Sequence, residues 1–182
     1  MSRADVYRGI GIVDQGHLLE ELTSDDVLEL VDGLSQLGTL QGQSVERTLL
    51  DAAANLADHI DPEVRHDAVK SLGLHLAWPG TIPIIRRIVS NRSEAEHVLE
   101  VSIASLGAIA TCDGSQFPAA AEILGAIVGD ESYSEAVRGS ALLVQLFIEG
   151  RINATEYGSA STDLCGVVAR FCPDGEEPKE TT

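Results

Sequence analysis

Five histidines, three cysteines and a surplus of carboxylates are the groups through which this chain would do chemistry. His17, His59, His66, His75 and His97 are scattered. No His-Glu-x-x-His run sets two imidazoles on one helical face beside a general base. His59 and Asp61 straddle a predicted helix end, and there is no third partner of suitable spacing. Cys112, Cys165 and Cys172 are odd in number and form no Cys-x-x-Cys pair, so free thiols in a reducing cytosol are the simplest account. No Gly-x-Ser-x-Gly elbow presents a serine, and Cys112-Asp113-Gly114 reads as a helix-ending turn rather than an activated thiol. Gly9-Ile10-Gly11 lacks the third glycine of a dinucleotide loop and follows no strand. The expectation is a protein that is not an enzyme and uses no metal or cofactor.

Other charged residues point to structure and to binding. On a helical wheel at about 100° per residue, Val64, Ala68, Val69, Leu72 and Leu76 share one side, and Arg65 falls within their arc. A cation on a packing face needs a carboxylate, because an unpaired buried charge is prohibitively costly. His75 lies on the same arc and reads as core. Glu63, His66, Asp67 and Lys70 project away from it, as do Glu96, His97 and Glu100 on a later helix. These seven are the candidate partner-binding residues; an ordinary solvated helix surface is the alternative.

The elements that hold these residues read as helices throughout. Residues 1–16, with Gly9, Gly11 and Gly16, look irregular; 17–172 read as one helical domain and 173–182 as a disordered polar tail. Ser24 is the expected N-cap of a helix that Gly38 ends, and Ser44 of the next. Asp61-Pro62 opens a third, with proline at the first position, where its missing N–H costs nothing. Further helices are expected at about 82–91, 93–110, 117–129, 134–149 and 162–171, with capping boxes at Ser93/Glu96 and Ser132/Glu135. Leu143 and Phe147 are expected beneath the last of these, which carries Leu164, Val167, Val168 and Phe171. Asn153-Ala154-Thr155 matches a glycosylation sequon, without meaning if the protein is not secreted.

Three helices share one frame. Val64, Val98 and Val137 correspond, as do Ala68, Ser102 and Ala141, and Ser71-Leu72-Gly73 matches Ser105-Leu106-Gly107. The spacings of 34 and 39 residues suit helical repeats. The turn Asp61-Pro62-Glu63-Val64-Arg65, followed by Ala68 and Leu72-Gly73, resembles that of HEAT repeats, and the resemblance covers roughly residues 44–149. It implies an all-α, short right-handed α-solenoid of about four antiparallel helix pairs, whose second helices line a concave binding side. It also implies that Asp61, Arg65 and Arg138 are structural, the arginine pairing with an aspartate of a neighbouring turn. Leu99 takes the arginine position in the middle repeat and interrupts that ladder.

Composition narrows the partner. Twelve basic residues against 29 acidic ones give a formal charge of −17, which repels nucleic acid and anionic lipid and attracts basic surfaces. With only two lysines, Lys70 and Lys179, the acidity also fits adaptation to salt. The opening residues lack the apolar core of a signal peptide, and the longest apolar run, 141–148, is too short to span a bilayer. The expectation is a cytoplasmic protein-interaction module, monomeric when free, binding a protein with a basic surface and neither nucleic acid nor membrane. A bacterial immunity or inhibitor protein that neutralises a basic toxin such as a nuclease is its most concrete form. A scaffold or lyase/chaperone-like subunit is the alternative; a HEAT-like DNA glycosylase is disfavoured by the charge.

Overall fold

The computed structural model describes residues 14–161, and all regular structure among them is helical. Nine α-helices follow in order: α1 (Gln15–Glu21), α2 (Val27–Gly38), α3 (Arg47–Leu56), α4 (Pro62–Val69), α5 (Ile82–Ser90), α6 (Glu96–Cys112), α7 (Phe117–Val128), α8 (Glu135–Ile148) and α9 (Ala154–Ala160). Each odd helix from α1 to α7 packs on the even helix that follows it. The even helices also pack in series, α2 on α4, α4 on α6 and α6 on α8, while α1 meets α3 and α5 meets α7.

The repeated sequence frame lies at the contacts between even helices. Val64, Val98, Val137, Ala68, Ser102, Ala141, Leu72 and Leu106 are all buried. Ser71 Oγ donates to the Leu34 carbonyl of α2 at 2.6 Å, and Ser105 Oγ donates to the Val69 carbonyl of α4 at 3.4 Å. The glycines that follow allow the same close approach. A Cβ on Gly73 would stand 2.5 Å from Ser105 Cβ, and one on Gly107 2.9 Å from Val144 Cγ1. Gly38, read from sequence as a helix stop, is the last residue of α2 and does the same work, since its Cβ would meet the His75 ring at 3.0 Å.

Several helix starts differ from expectation because a nearby side chain takes the cap. Asp14 caps α1, so Gln15 and Gly16 are helical rather than irregular. Ser24 accepts from the Asp26 N–H and donates to Glu29, leaving Asp26 to cap α2. The Gln15 amide holds the Ser44 carbonyl and the Glu46 N–H, which delays α3 to Arg47 and removes Ser44 as its cap. Ser93 turns to Asn91, so α6 opens without a side-chain cap, and Ser134 rather than Ser132 caps α8. Asp61 and Pro62 open α4 as expected, with the Asp61 carboxylate accepting from the Glu63 N–H.

Beyond Val69, α4 loosens into a π turn, Lys70–His75, where Gly73 presses on α6. Helix α9 was not anticipated. Asn153, read as part of a sequon, forms a capping box with Glu156, and Tyr157 and Ala160 pack on Leu142, Leu143 and Leu146 of α8. The helix expected at 162–171 and the tail at 173–182 lie outside the described residues.

Candidate functional site

The turns that lead into α4, α6 and α8 are tied to one another in series. Arg65, at the start of α4, donates from Nη1 to the His59 and Ile60 carbonyls at 2.7 and 2.8 Å, closing its own turn. Its Nε and Nη2 grip Glu94, in the turn before α6, at 3.2 and 2.5 Å. The Glu94 side chain is only 4% exposed. Burial pushes its carboxyl up, but the Arg65 hydrogen bond, the Ala95 N–H and the charges of Arg65 and His97 outweigh that and hold it below its ordinary value. The carboxylate is thus a glutamate of the next turn, not the aspartate that the resemblance implied.

One repeat further on, the tie is made differently. Arg92, before α6, pairs with Asp130, before α8, and lies over the Tyr133 ring at 4.1 Å. Tyr133 donates to the Val89 carbonyl. Hydrogen bonds from Ser132 do most to lower the Asp130 carboxyl, with Arg92 and Arg138 adding smaller charge effects. Arg138 repeats one half of the Arg65 arrangement, its Nε donating to the Val128 carbonyl of its own turn at 3.0 Å. Both arginines therefore act as clamps on inter-helix turns. Arg92, Glu94, Asp130 and Tyr133 were missed in the sequence because all four stand in turns, outside the helical frame.

Five of the candidate binding residues come together. The His66 and His97 rings meet across α4 and α6 with centroids 5.5 Å apart. His97 Nε2 is enclosed, makes no hydrogen bond and faces Glu63 Oε1 at 3.4 Å. His66 Nδ1 lies 3.0 Å from Asp67 Oδ1, and the same oxygen is 3.9 Å from Lys70 Nζ. Glu96 sits apart from these five, accepting from Ser134 Oγ at 2.6 Å. Glu100 is exposed at the rim of a groove between α6, α8 and α9. Counting Glu63, Asp67, Glu96 and Glu100 against Lys70, the surface carries four carboxylates and one ammonium.

Among the described residues no group of three or more His, Cys, Asp or Glu side chains could hold a metal ion. Cys112 is exposed at the end of α6, and Cys165 and Cys172 lie outside the described residues. No helix among the described residues is long and apolar enough to cross a membrane. No known protein family, curated protein or solved structure matches the chain.

Proposed function

We propose that this chain is an acidic, HEAT-like α-solenoid module that recognises a protein with a basic surface through the outer face of α4 and α6. The observation that carries this reading is the His66–His97 contact, with Glu63 reaching His97, which makes residues from α4 and α6 one surface. Side chains that bridge successive elements are positioned before a partner arrives, and such preorganisation lowers the entropy cost of association. Four carboxylates around that surface, on a chain of charge −17, favour a cationic partner and rapid encounter with it.

The most concrete form is a small cytoplasmic bacterial immunity or inhibitor protein that occludes a basic toxin such as a nuclease. Neutralisation of that kind needs no chemistry from the inhibitor, only a complementary surface. A subunit of a larger assembly differs in a measurable way, because it would co-purify in fixed stoichiometry even at high salt. The test is a pull-down from native lysate at low and high salt with two baits, the wild-type chain and Glu63→Lys/Glu96→Lys/Glu100→Lys. A basic protein held by the wild type at low salt, and lost from the reversed variant, is the expected result. Equal capture by both baits would remove the face from consideration.

A further inference from the structure

A groove of about 270 Å³ opens between α6, α8 and α9. Ile103 and Ala104 of α6 and Leu143 and Val144 of α8 give it an apolar lining, and Glu100 and Ser140 stand one helical turn earlier on the same two helices. Tyr157 lines it from α9, its ring tilted against Phe147 with centroids 5.2 Å apart. Three polar groups of this lining have no partner among the described residues: the Glu100 carboxylate, the Ser140 hydroxyl and the Tyr157 hydroxyl. Comparable groups nearby are satisfied. Ser102 and Thr111 of α6 each donate to the carbonyl four residues back at 2.7 Å, and Ser161 donates to the Gly158 carbonyl. Of the other candidate carboxylates, Glu63 faces His97, Asp67 meets His66 and Glu96 accepts from Ser134. Burial pushes the Tyr157 hydroxyl pKa up, with no hydrogen bond to offset it.

An apolar cleft with a few unpaired polar groups in its lining is the ordinary form of a ligand site. One carboxylate and two hydroxyls, each able to accept, suit a positively charged group with several separate donors. An ammonium on a flexible alkyl stem has them, whereas the planar fork of a guanidinium seeks both oxygens of one carboxylate. Such a stem buries its methylenes along apolar surface while its charged head stays at the polar end. We infer that the groove is a pocket for a lysine side chain of the basic partner. The stem lies against Ile103, Ala104, Leu143 and Val144, and the ammonium is shared by Glu100, Ser140 and Tyr157. Glu100 stands one turn along α6 from His97, so the pocket continues the His66–His97 surface. The origin of the lysine rests on the proposed binding role of that face; the preference of the groove for an alkylammonium does not.

The first test titrates n-butylammonium, the lysine side chain as a free ion, into the full chain and follows the methyl NMR signals of Ile103, Leu143 and Val144. Saturable shifts are expected. Glu100→Gln should weaken them on the order of tenfold, because an ionised acceptor makes the stronger hydrogen bond. Both n-butylguanidinium and 1-butanol should bind more weakly than the ammonium. Absence of saturable shifts, or equal affinity in Glu100→Gln, would overturn the pocket, and tighter binding of the guanidinium would overturn the choice of lysine. Octalysine and octa-arginine, of equal charge, then connect the pocket to the face by calorimetry. The wild type should bind octalysine several-fold more tightly, and Ala104→Phe, which fills the groove, should erase that preference. Glu63→Lys/Glu96→Lys, which leaves the lining intact, should weaken both peptides alike. Equal binding of the two peptides by the wild type, or a preference kept in Ala104→Phe, would overturn the lysine anchor and leave the face standing. Undiminished binding by Glu63→Lys/Glu96→Lys would overturn the face, and the butylammonium titration would still decide the pocket. Should Ala104→Phe fail to fold, Glu100→Gln, at an exposed side chain, keeps the titration decisive.

Discussion

Glu94 is bolted to Arg65 by two hydrogen bonds, Nη2–Oε1 at 2.5 Å and Nε–Oε2 at 3.2 Å, so the turn before α6 is fixed to the start of α4. The guanidinium suits this place because its fork also reaches the His59 and Ile60 carbonyls. Arg65→Ala leaves Glu94 buried and unpaired and should cost about 3–5 kcal/mol in urea unfolding. Arg65→Lys should recover little of this, since an ammonium cannot form the same bidentate contact. An unchanged unfolding midpoint for Arg65→Ala would show that the pair contributes nothing.

The same pair sets a dependence on acid. The Glu94 carboxyl is held below its ordinary value of 4.5 in the folded chain. A carboxyl depressed by folding stabilises the native state above its unfolded pKa, and that contribution is lost as pH falls through the folded one. Glu94→Gln should therefore be less stable than wild type at neutral pH, with the gap closing as pH drops through and below 4.5. Unfolding curves across that range check it, and a gap that stays constant with pH would contradict it.

The glycines of the frame make a graded prediction. At Gly73 an added Cβ meets Ser105 Cβ at 2.5 Å, a contact neither helix relieves without moving. Gly73→Ala should cost about 1–3 kcal/mol through overpacking. Gly125, within α7, has nothing within 4 Å of an added Cβ, so Gly125→Ala should gain about 0.5–1 kcal/mol from helix propensity. Thermal melts of the two variants should move in opposite directions. A shared direction would refute the close approach of α4 to α6.

The helical frame was legible because burial imposes a period on sequence. Val64, Ala68 and Leu72 repeat as Val98, Ser102 and Leu106, and all six are buried. The Asp61-Pro62 start was legible because proline and a capping carboxylate act through adjacent backbone alone. What was hidden depends on neighbours distant in sequence. Ser44 has the right residue type for a cap, but Gln15, 29 positions earlier, holds its carbonyl. Glu94 carries no periodic mark, and only the folded chain brings it to Arg65. Helix α9 escaped because seven residues are too few to display a period, and its cap also matched a sequon. Of the seven binding candidates, wheel geometry set Glu63, His66, Asp67 and Lys70 on one helix face and Glu96, His97 and Glu100 on another; it could not anticipate that the His66 and His97 rings meet or that Glu96 turns to Ser134.

The most direct test of the binding face is the association rate of the basic protein recovered at low salt, measured by stopped flow as ionic strength rises. Exposed charges steer encounter over distances that salt screens beyond about 8 Å under physiological conditions. The wild-type rate should fall steeply with added salt. Glu63→Lys/Glu96→Lys/Glu100→Lys should lower the low-salt rate by on the order of tenfold or more while leaving the melting temperature nearly unchanged. The comparison variant, Asp51→Lys/Glu122→Lys, reverses acids on α3 and α7, where each sits in an exposed ion pair of little energetic weight. A rate depressed in the first variant and largely preserved in the second is the predicted result. Equal rates in both would contradict the proposed face and leave the −17 charge as a general property of the surface.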